Sequence, residues 1–207
     1  MKRGLFITLE GGEGSGKTTA SHKIKEELEK LGHEVVLTRE PGGVVISEQI
    51  RNIILSDNNS NIDHMTEALL FASARRQHLV EKIIPAINKG KIVICDRFID
   101  SSLVYQGLVN GTGISNVRKI NEFAIDGHMP NLTLFFDISA KKGLERVFSN
   151  SEREVNRLDE KDLHFHKEVY NGYKMLNYDN PRVKTVNAEA TVEEVVEDCL
   201  KHINKLL

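Results

Sequence analysis

The sequence predicts an α/β fold, a five-stranded parallel sheet flanked by helices, on three observations. Short apolar runs rich in β-branched and aromatic residues alternate with longer amphipathic stretches, the order that strand–helix–strand crossovers produce. Three of those runs are apolar throughout, as strands buried on both faces must be. Gly32 and Gly90 stand between helical stretches and the strands that follow, where a residue with positive φ ends a helix.

In chain order, Gly4–Glu10 (GLFITLE) reads as the first strand. Its start, MKRGLFITLE, imitates a secretory leader only briefly, because Glu10 ends the apolar run too soon. A helix is predicted over Lys17–Leu31 and a second strand over Glu34–Glu40. Two helices, Ser47–Leu55 and Thr66–Asn88, precede the strand Lys91–Asp96 and are separated by the polar loop Ser56–Asn61. Then come a helix over Ile114–Asp126, a strand over Leu132–Ile138, and helices over Lys141–Asn150 and Glu160–Leu176. The strand Arg182–Asn187 and the helix Val192–Leu206 complete the order. The irregular segment SNSEREVNRLDE (Ser149–Glu160) places two arginines between two helices. No repeat, low-complexity tract or Gly/Pro/Ser-rich linker interrupts the pattern, so residues 1–207 read as a single domain.

Composition narrows the partners. With 28 Lys plus Arg against 30 Asp plus Glu, bulk charge points to neither a nucleic acid nor a membrane surface, and any anion site must be local. No apolar span of about 18 residues is present. Cys95 and Cys199, far apart and alone, form neither a disulfide framework nor a metal-ligand spacing, which predicts a reducing, cytoplasmic location.

Within LEGGEGSGKTTA, Gly11-x-x-x-x-Gly16-Lys17-Thr18 is a complete Walker A pattern, placed after a strand and opening a helix. Glycines let backbone N–H groups turn inward around phosphates, and the helix N-terminus adds partial positive charge. The nucleotide-binding residues are therefore Gly11, Gly12, Glu13, Gly14, Ser15, Gly16, Lys17, Thr18 and Thr19, with ATP or GTP and Mg²⁺ as the implied ligands. Lys17 is expected to bridge the β- and γ-phosphates, and Thr18 to ligate Mg²⁺. In IVICDR, Asp96 follows four apolar residues, at the strand end that faces the ligand crevice of an open sheet. It can join the Mg²⁺ shell or accept a proton, and Arg97 beside it would meet a second anion. The pattern predicts a P-loop NTPase fold, which leaves the acceptor open. The chain lacks a guanine-reading Asn-Lys-x-Asp and is short for a motor ATPase. A small nucleotide or nucleoside kinase fits better, with an ATP-sensing module as the distant rival.

Five segments together are more specific. EGGEGSGKTTA, TREPGG, LLFASARRQH, DRFIDSSLVYQG and PNLTLFFD resemble thymidylate kinases of bacterial type, in that family's order and spacing. The resemblance implies transfer of the γ-phosphoryl group of MgATP to thymidine monophosphate, dTMP, by a homodimer. It implies an acceptor site in which Glu13 meets the deoxyribose 3′-hydroxyl and Arg39 and Arg97 grip the monophosphate. Pro41 would wall the base pocket, Phe71 would stack on thymine, and Arg75 would donate to a base carbonyl. Ser101 and Ser102 would contact the base, Tyr105 would block a ribose 2′-hydroxyl, and Gln106 would line the same pocket. The catalytic set would be Lys17, Asp96 and Arg97 with Arg153 and Arg157, the last two on a lid over about residues 149–160.

Overall fold

The computed structural model describes residues 3–149, 161–177 and 179–207. Five strands form one parallel sheet in the order β2-β3-β1-β4-β5: β1 Phe6–Glu10, β2 Val35–Arg39, β3 Ile92–Asp96, β4 Leu132–Asp137 and β5 Val183–Asn187. All five lie within the predicted strand segments. The chain passes from β1 outward to β2, returns to β3, then crosses to β4 on the far side of β1. The crevice beyond the carboxyl ends of β1 and β3 is thus the ligand position for this topology.

The pleat decides which residues face which layer. Ile7 and Leu9 of β1 pack with Ile92 and Ile94 against Ile24 and Leu28 of α1 (Lys17–Lys30). Val195, Val196 and Cys199 of the carboxyl-terminal helix Val192–Ile203 complete that layer. Phe6, Val93 and Cys95 point the other way, toward Leu79, Ile83, Phe98 and Leu103. A third cluster joins Val104, Tyr105, Phe135, Val169 and Tyr173 beneath β4. Burial of each such apolar side chain contributes roughly 1.5–3 kcal/mol. Glu10 shares the pleat face of Phe6 and so points into the second layer, where a carboxylate needs partners.

The remaining helices are α2 (Val45–Leu55), α3 (His64–His78), α4 (Ile84–Asn88), α5 (Ile99–Ser102), α6 (Ile114–Ile125), α7 (Ala140–Ser149), α8 (Leu163–Asn177) and α9 (Val192–Ile203). Asp63 caps α3 by accepting from the Thr66 backbone N–H at 2.9 Å. The stretch predicted as one helix, Thr66–Asn88, is instead α3, a π-helical stretch Leu79–Ile83, and α4. Pro85, which has no N–H to give to a preceding turn, stands just after that wider turn. One helical element was not expected. Ile99–Ser102 continues into a π-helical stretch, Leu103–Val109, and brings the four site candidates Ser101, Ser102, Tyr105 and Gln106 to the cleft. Among the described residues no helix is long and apolar enough to cross a membrane.

Candidate active site

The loop after β1 turns through two left-handed glycines, Gly14 (φ 68°) and Gly16 (φ 85°), the second serving as the N-cap of α1. A Cβ on Gly14 would stand 2.0 Å from the Gly143 carbonyl oxygen, so the loop rests directly on the backbone of α7. Lys17 folds back inside the loop. Its ammonium donates to the carbonyls of Gly11 (3.0 Å) and Gly12 (2.9 Å) and to Ser15 Oγ (2.9 Å). Burial lowers the Lys17 ammonium to about 8, with the Arg97 guanidinium adding to the effect.

Thr18 Oγ1 donates to Asp96 Oδ2 at 2.9 Å, bringing the loop hydroxyl and the β3 carboxylate together. Asp96 Oδ1 is buried and has no hydrogen-bond partner among the described residues. An orphaned carboxylate oxygen beside a hydroxyl is a donor set of the hard-oxygen kind that Mg²⁺ takes, so the pair fits a magnesium ion.

Arg97 turns the chain at the end of β3 with φ 68°, an uncommon conformation for a residue other than glycine, while its N–H donates to the Leu9 carbonyl at 2.9 Å. Its guanidinium crosses the crevice and donates to Glu13 Oε1 at 2.5 Å, to the Gly11 carbonyl and to Ser101 Oγ, and lies over the Tyr105 ring. Tyr105 also donates to Glu13, at 3.4 Å. Glu13 is thus held by Arg97 and Tyr105 at the edge of the anion loop, which places its charge against a cation rather than against the phosphate cradle.

A cleft of about 570 Å³ opens beside this centre. Gly14 to Thr19 of the loop line it, together with Arg39, Pro41, Phe71, Arg75, Ser101, Ser102, Tyr105 and Gln106. Asp96 and Arg97 lie on its wall, whereas Gly11 and Gly12 lie behind it, as acceptors for Lys17. Phe71 is half-buried. Arg75 is almost fully buried: Nε donates to Glu40 Oε2 at 2.7 Å and Nη1 to Ser102 Oγ and Asn121 Oδ1, and the guanidinium stacks over Phe98. Its neighbour Arg76 is exposed and donates to the Ala124 carbonyl. Arg39 donates to the Pro41 carbonyl and pairs with Glu48 at 3.1 Å. Arg153 and Arg157 lie outside the described residues.

Three residues beyond the predicted set organise this centre. Glu40 bridges Arg75 and His78, whose Nε2 in turn meets Thr38 Oγ1. Arg146 of α7 lines the cleft near the loop. Glu10 collects the N–H groups of Phe98 (2.8 Å) and Ser101 (3.3 Å) and the hydroxyls of Ser101 (2.6 Å) and Tyr173 (2.9 Å). Burial first, and the Asp100 carboxylate second, push the Glu10 carboxyl up to about 7. The sequence signals were faint: Glu10 ends a strand and Glu40 directly follows one, both at the crevice side.

Known proteins resemble this chain over its length. The family model described as Thymidylate kinase matches residues 9–199. A thymidylate kinase of Clostridium novyi (strain NT) is 56% identical over 199 residues, covering 96% of this chain and 97% of that protein. One from Shouchella clausii (strain KSM-K16) is 52% identical over 208 residues, covering 100% and 98%. The crystal structure of thymidylate kinase from Ehrlichia chaffeensis superposes with a TM-score of 0.78 at 33% identity, covering 98% of this chain and 99% of that one. The phosphate loop, the sheet order and the full-length match lead to one conclusion: the chain belongs to the thymidylate kinase family, P-loop enzymes that phosphorylate dTMP with ATP to give the diphosphate.

Proposed function

We propose that the cleft seats ATP at the phosphate loop and dTMP against Phe71, and that this chain acts as a single kinase domain with a lid near residues 149–160. The observation that carries the assignment is Arg97. It touches the phosphate loop through Gly11 and Glu13 and the acceptor wall through Ser101 and Tyr105. A guanidinium so placed can bind the acceptor phosphate while remaining beside the donor.

On this reading the chain's work is charge neutralisation and alignment, because two polyanions must approach for an in-line transfer. Lys17 leaves its carbonyl partners for the phosphates, and the loop N–H groups bind the oxygens. Arg39 and Arg97 grip the dTMP phosphate with Nη donors suited to its oxygens. Glu13 accepts from the 3′-hydroxyl. Tyr105 stands at the 2′ position, and Phe71 stacks on the base with Pro41 as the far wall. Ser101, Ser102, Arg75 and Gln106 read the base edge. Thr18 and Asp96 would hold Mg²⁺, which when bound supplies positive charge to the phosphate oxygens. Arg153 and Arg157 would close over the transferring group and exclude water. A cytoplasmic location is supported by two free, buried cysteines. A homodimer is supported by exposed apolar residues on α3 and α6.

The experiment is ADP release from MgATP across dTMP, deoxyuridine monophosphate, the other common monophosphates, thymidine and no acceptor. We expect release led by dTMP. Release led by another acceptor removes the base-reading assignments, and release indifferent to acceptor removes the kinase reading of the cleft.

A further inference from the structure

The base-reading wall contains one feature that the substrate assignments do not use. Gln106 is 2% exposed, and its side-chain Nε2 donates to Glu67 Oε1 at 3.1 Å. Asn110 Nδ2 donates to the same oxygen at 2.9 Å. Glu67 itself is 1% exposed, buried in α3 one helical turn before Phe71 and two before Arg75, so the three share one face of that helix. Burying a carboxyl group in this position costs free energy that an amide or an apolar side chain would not incur. Packing alone therefore does not account for it.

What a carboxylate supplies, and a neutral side chain does not, is direction. A carboxylate only accepts hydrogen bonds, whereas an amide side chain carries an acceptor at one corner and a donor at the other. With Glu67 on one side, Gln106 must turn its nitrogen toward α3. Its carbonyl oxygen Oε1, which takes no hydrogen bond among the described residues, is left for the cleft that Gln106 lines. Arg75 is fixed in the complementary sense. Its Nε and Nη1 are occupied by Glu40, Ser102 and Asn121, and Nη2 carries no such bond. Among the described residues, Arg75 thus offers one free donor and Gln106 one free acceptor.

We propose that Glu67 is a positioning residue that locks the polarity of the Gln106 amide, and through it makes the pocket select an imide base edge. Thymine and uracil present a ring N–H beside a carbonyl oxygen, which match the Gln106 oxygen and the Arg75 nitrogen. Cytosine presents a ring lone pair beside an amino group and meets like against like at both points. Without Glu67, Gln106 can rotate and accommodate the cytosine ring nitrogen, so the discrimination falls. The proposal rests on the assignment of the base pocket made above.

The test compares the wild-type enzyme with Glu67→Met, which removes the acceptor, and Glu67→Gln, which keeps the shape and can present either an oxygen or a nitrogen. Steady-state kcat and KM are measured with dTMP and with deoxycytidine monophosphate. We expect the ratio of kcat/KM, dTMP over deoxycytidine monophosphate, to fall about tenfold in Glu67→Met and about threefold in Glu67→Gln. The loss with dTMP should lie in KM, with kcat holding within about threefold. A merely structural role would lower both acceptors alike and leave the ratio unchanged. A folded Glu67→Met with a ratio within about twofold of wild type overturns the proposal. If that variant does not fold, an unchanged ratio in Glu67→Gln does the same. A wild-type enzyme that ignores dTMP would instead overturn the pocket assignment on which the proposal rests.

Discussion

Glu10 illustrates what one buried charge can do at the residue scale. It ends β1 facing Ser101 and Asp100 of α5, Arg97 from the end of β3, and Tyr173 of α8; Lys17 of α1 lies within range of its charge. Its carboxyl group is pushed from the usual 4.5 to about 7. Between those values the folded chain holds a proton that the unfolded chain has released, so stability falls as pH rises. The contribution is complete below about 4.5 and gone above about 7, on the order of 3 kcal/mol in all. Glu10→Gln cannot titrate and should lack this decline. From pH 5.5 to pH 8 the variant should gain about 2 kcal/mol on the wild type in urea unfolding. A difference that stays flat between the two pH values would rule out a raised Glu10. Such a residue was only half legible. Its place at the crevice end of an apolar run could be read from FITLE, but its partner Tyr173 comes 163 residues later. Only the folded layers bring the two together. Glu40 is similar: nothing local in REPGG announces that Arg75 and His78, 35 and 38 residues on, converge on its carboxylate.

At the scale of elements, the phosphate loop is held from below by α7. Gly14 and Gly143 are in mutual backbone contact, and a Cβ on Gly143 would stand 2.4 Å from the Glu13 carbonyl oxygen. Gly143→Ala therefore lifts the loop, while the helix itself gains about 0.5–1 kcal/mol from losing a glycine. The unfolding midpoint should move little, and kcat/KM for ATP should fall about tenfold or more. An unaltered ATP dependence would mean that the loop does not need this support. The Walker A glycines are legible because phosphate binding demands them, whereas Gly143 sits inside AKKGLERVFS, where it reads as a helix of indifferent quality. The same logic separates the strands from the helix Ile99–Val109. Each strand is a short apolar run and announces itself. IDSSLVYQGLV carries two serines and a glycine, weak helix formers. It is helical because Leu103, Val104 and Tyr105 bury their side chains and Gly107 lets α6 approach, with Ile114 Cα 3.1 Å from where a Cβ would be. Tertiary packing overrides propensity there, and the wider π turns are found along the proposed acceptor wall.

At the scale of the whole molecule, the proposed acceptor pocket has an outer side. α3 and α6 turn Glu67, Arg75 and Asn121 inward, all three 2% exposed or less. On the same two helices Met65 is 57%, Leu69 51% and Phe123 90% exposed. Arg76 ties the pair together through the Ala124 carbonyl at 3.3 Å and Asp126 at 3.6 Å. In the homodimer proposed above, these large apolar side chains on neighbouring helices would supply the association surface. With a formal net charge of −2, two copies would meet with little overall repulsion. A second copy covering these side chains in a twofold arrangement would bury both patches at once. It would also brace the helices that carry the residues proposed to read the base. Phe123→Asp places a charge at the most exposed of these positions and leaves the inner faces untouched. In sedimentation equilibrium at micromolar concentration, we expect the wild type at twice the chain mass and Phe123→Asp at the chain mass. With the outer brace removed, KM for dTMP should rise while that for ATP, which the proposal seats at the phosphate loop, stays near its wild-type value. A wild type that sediments at the chain mass would refute the dimer; a monomeric Phe123→Asp with unchanged KM for dTMP would keep the dimer and break its link to the pocket.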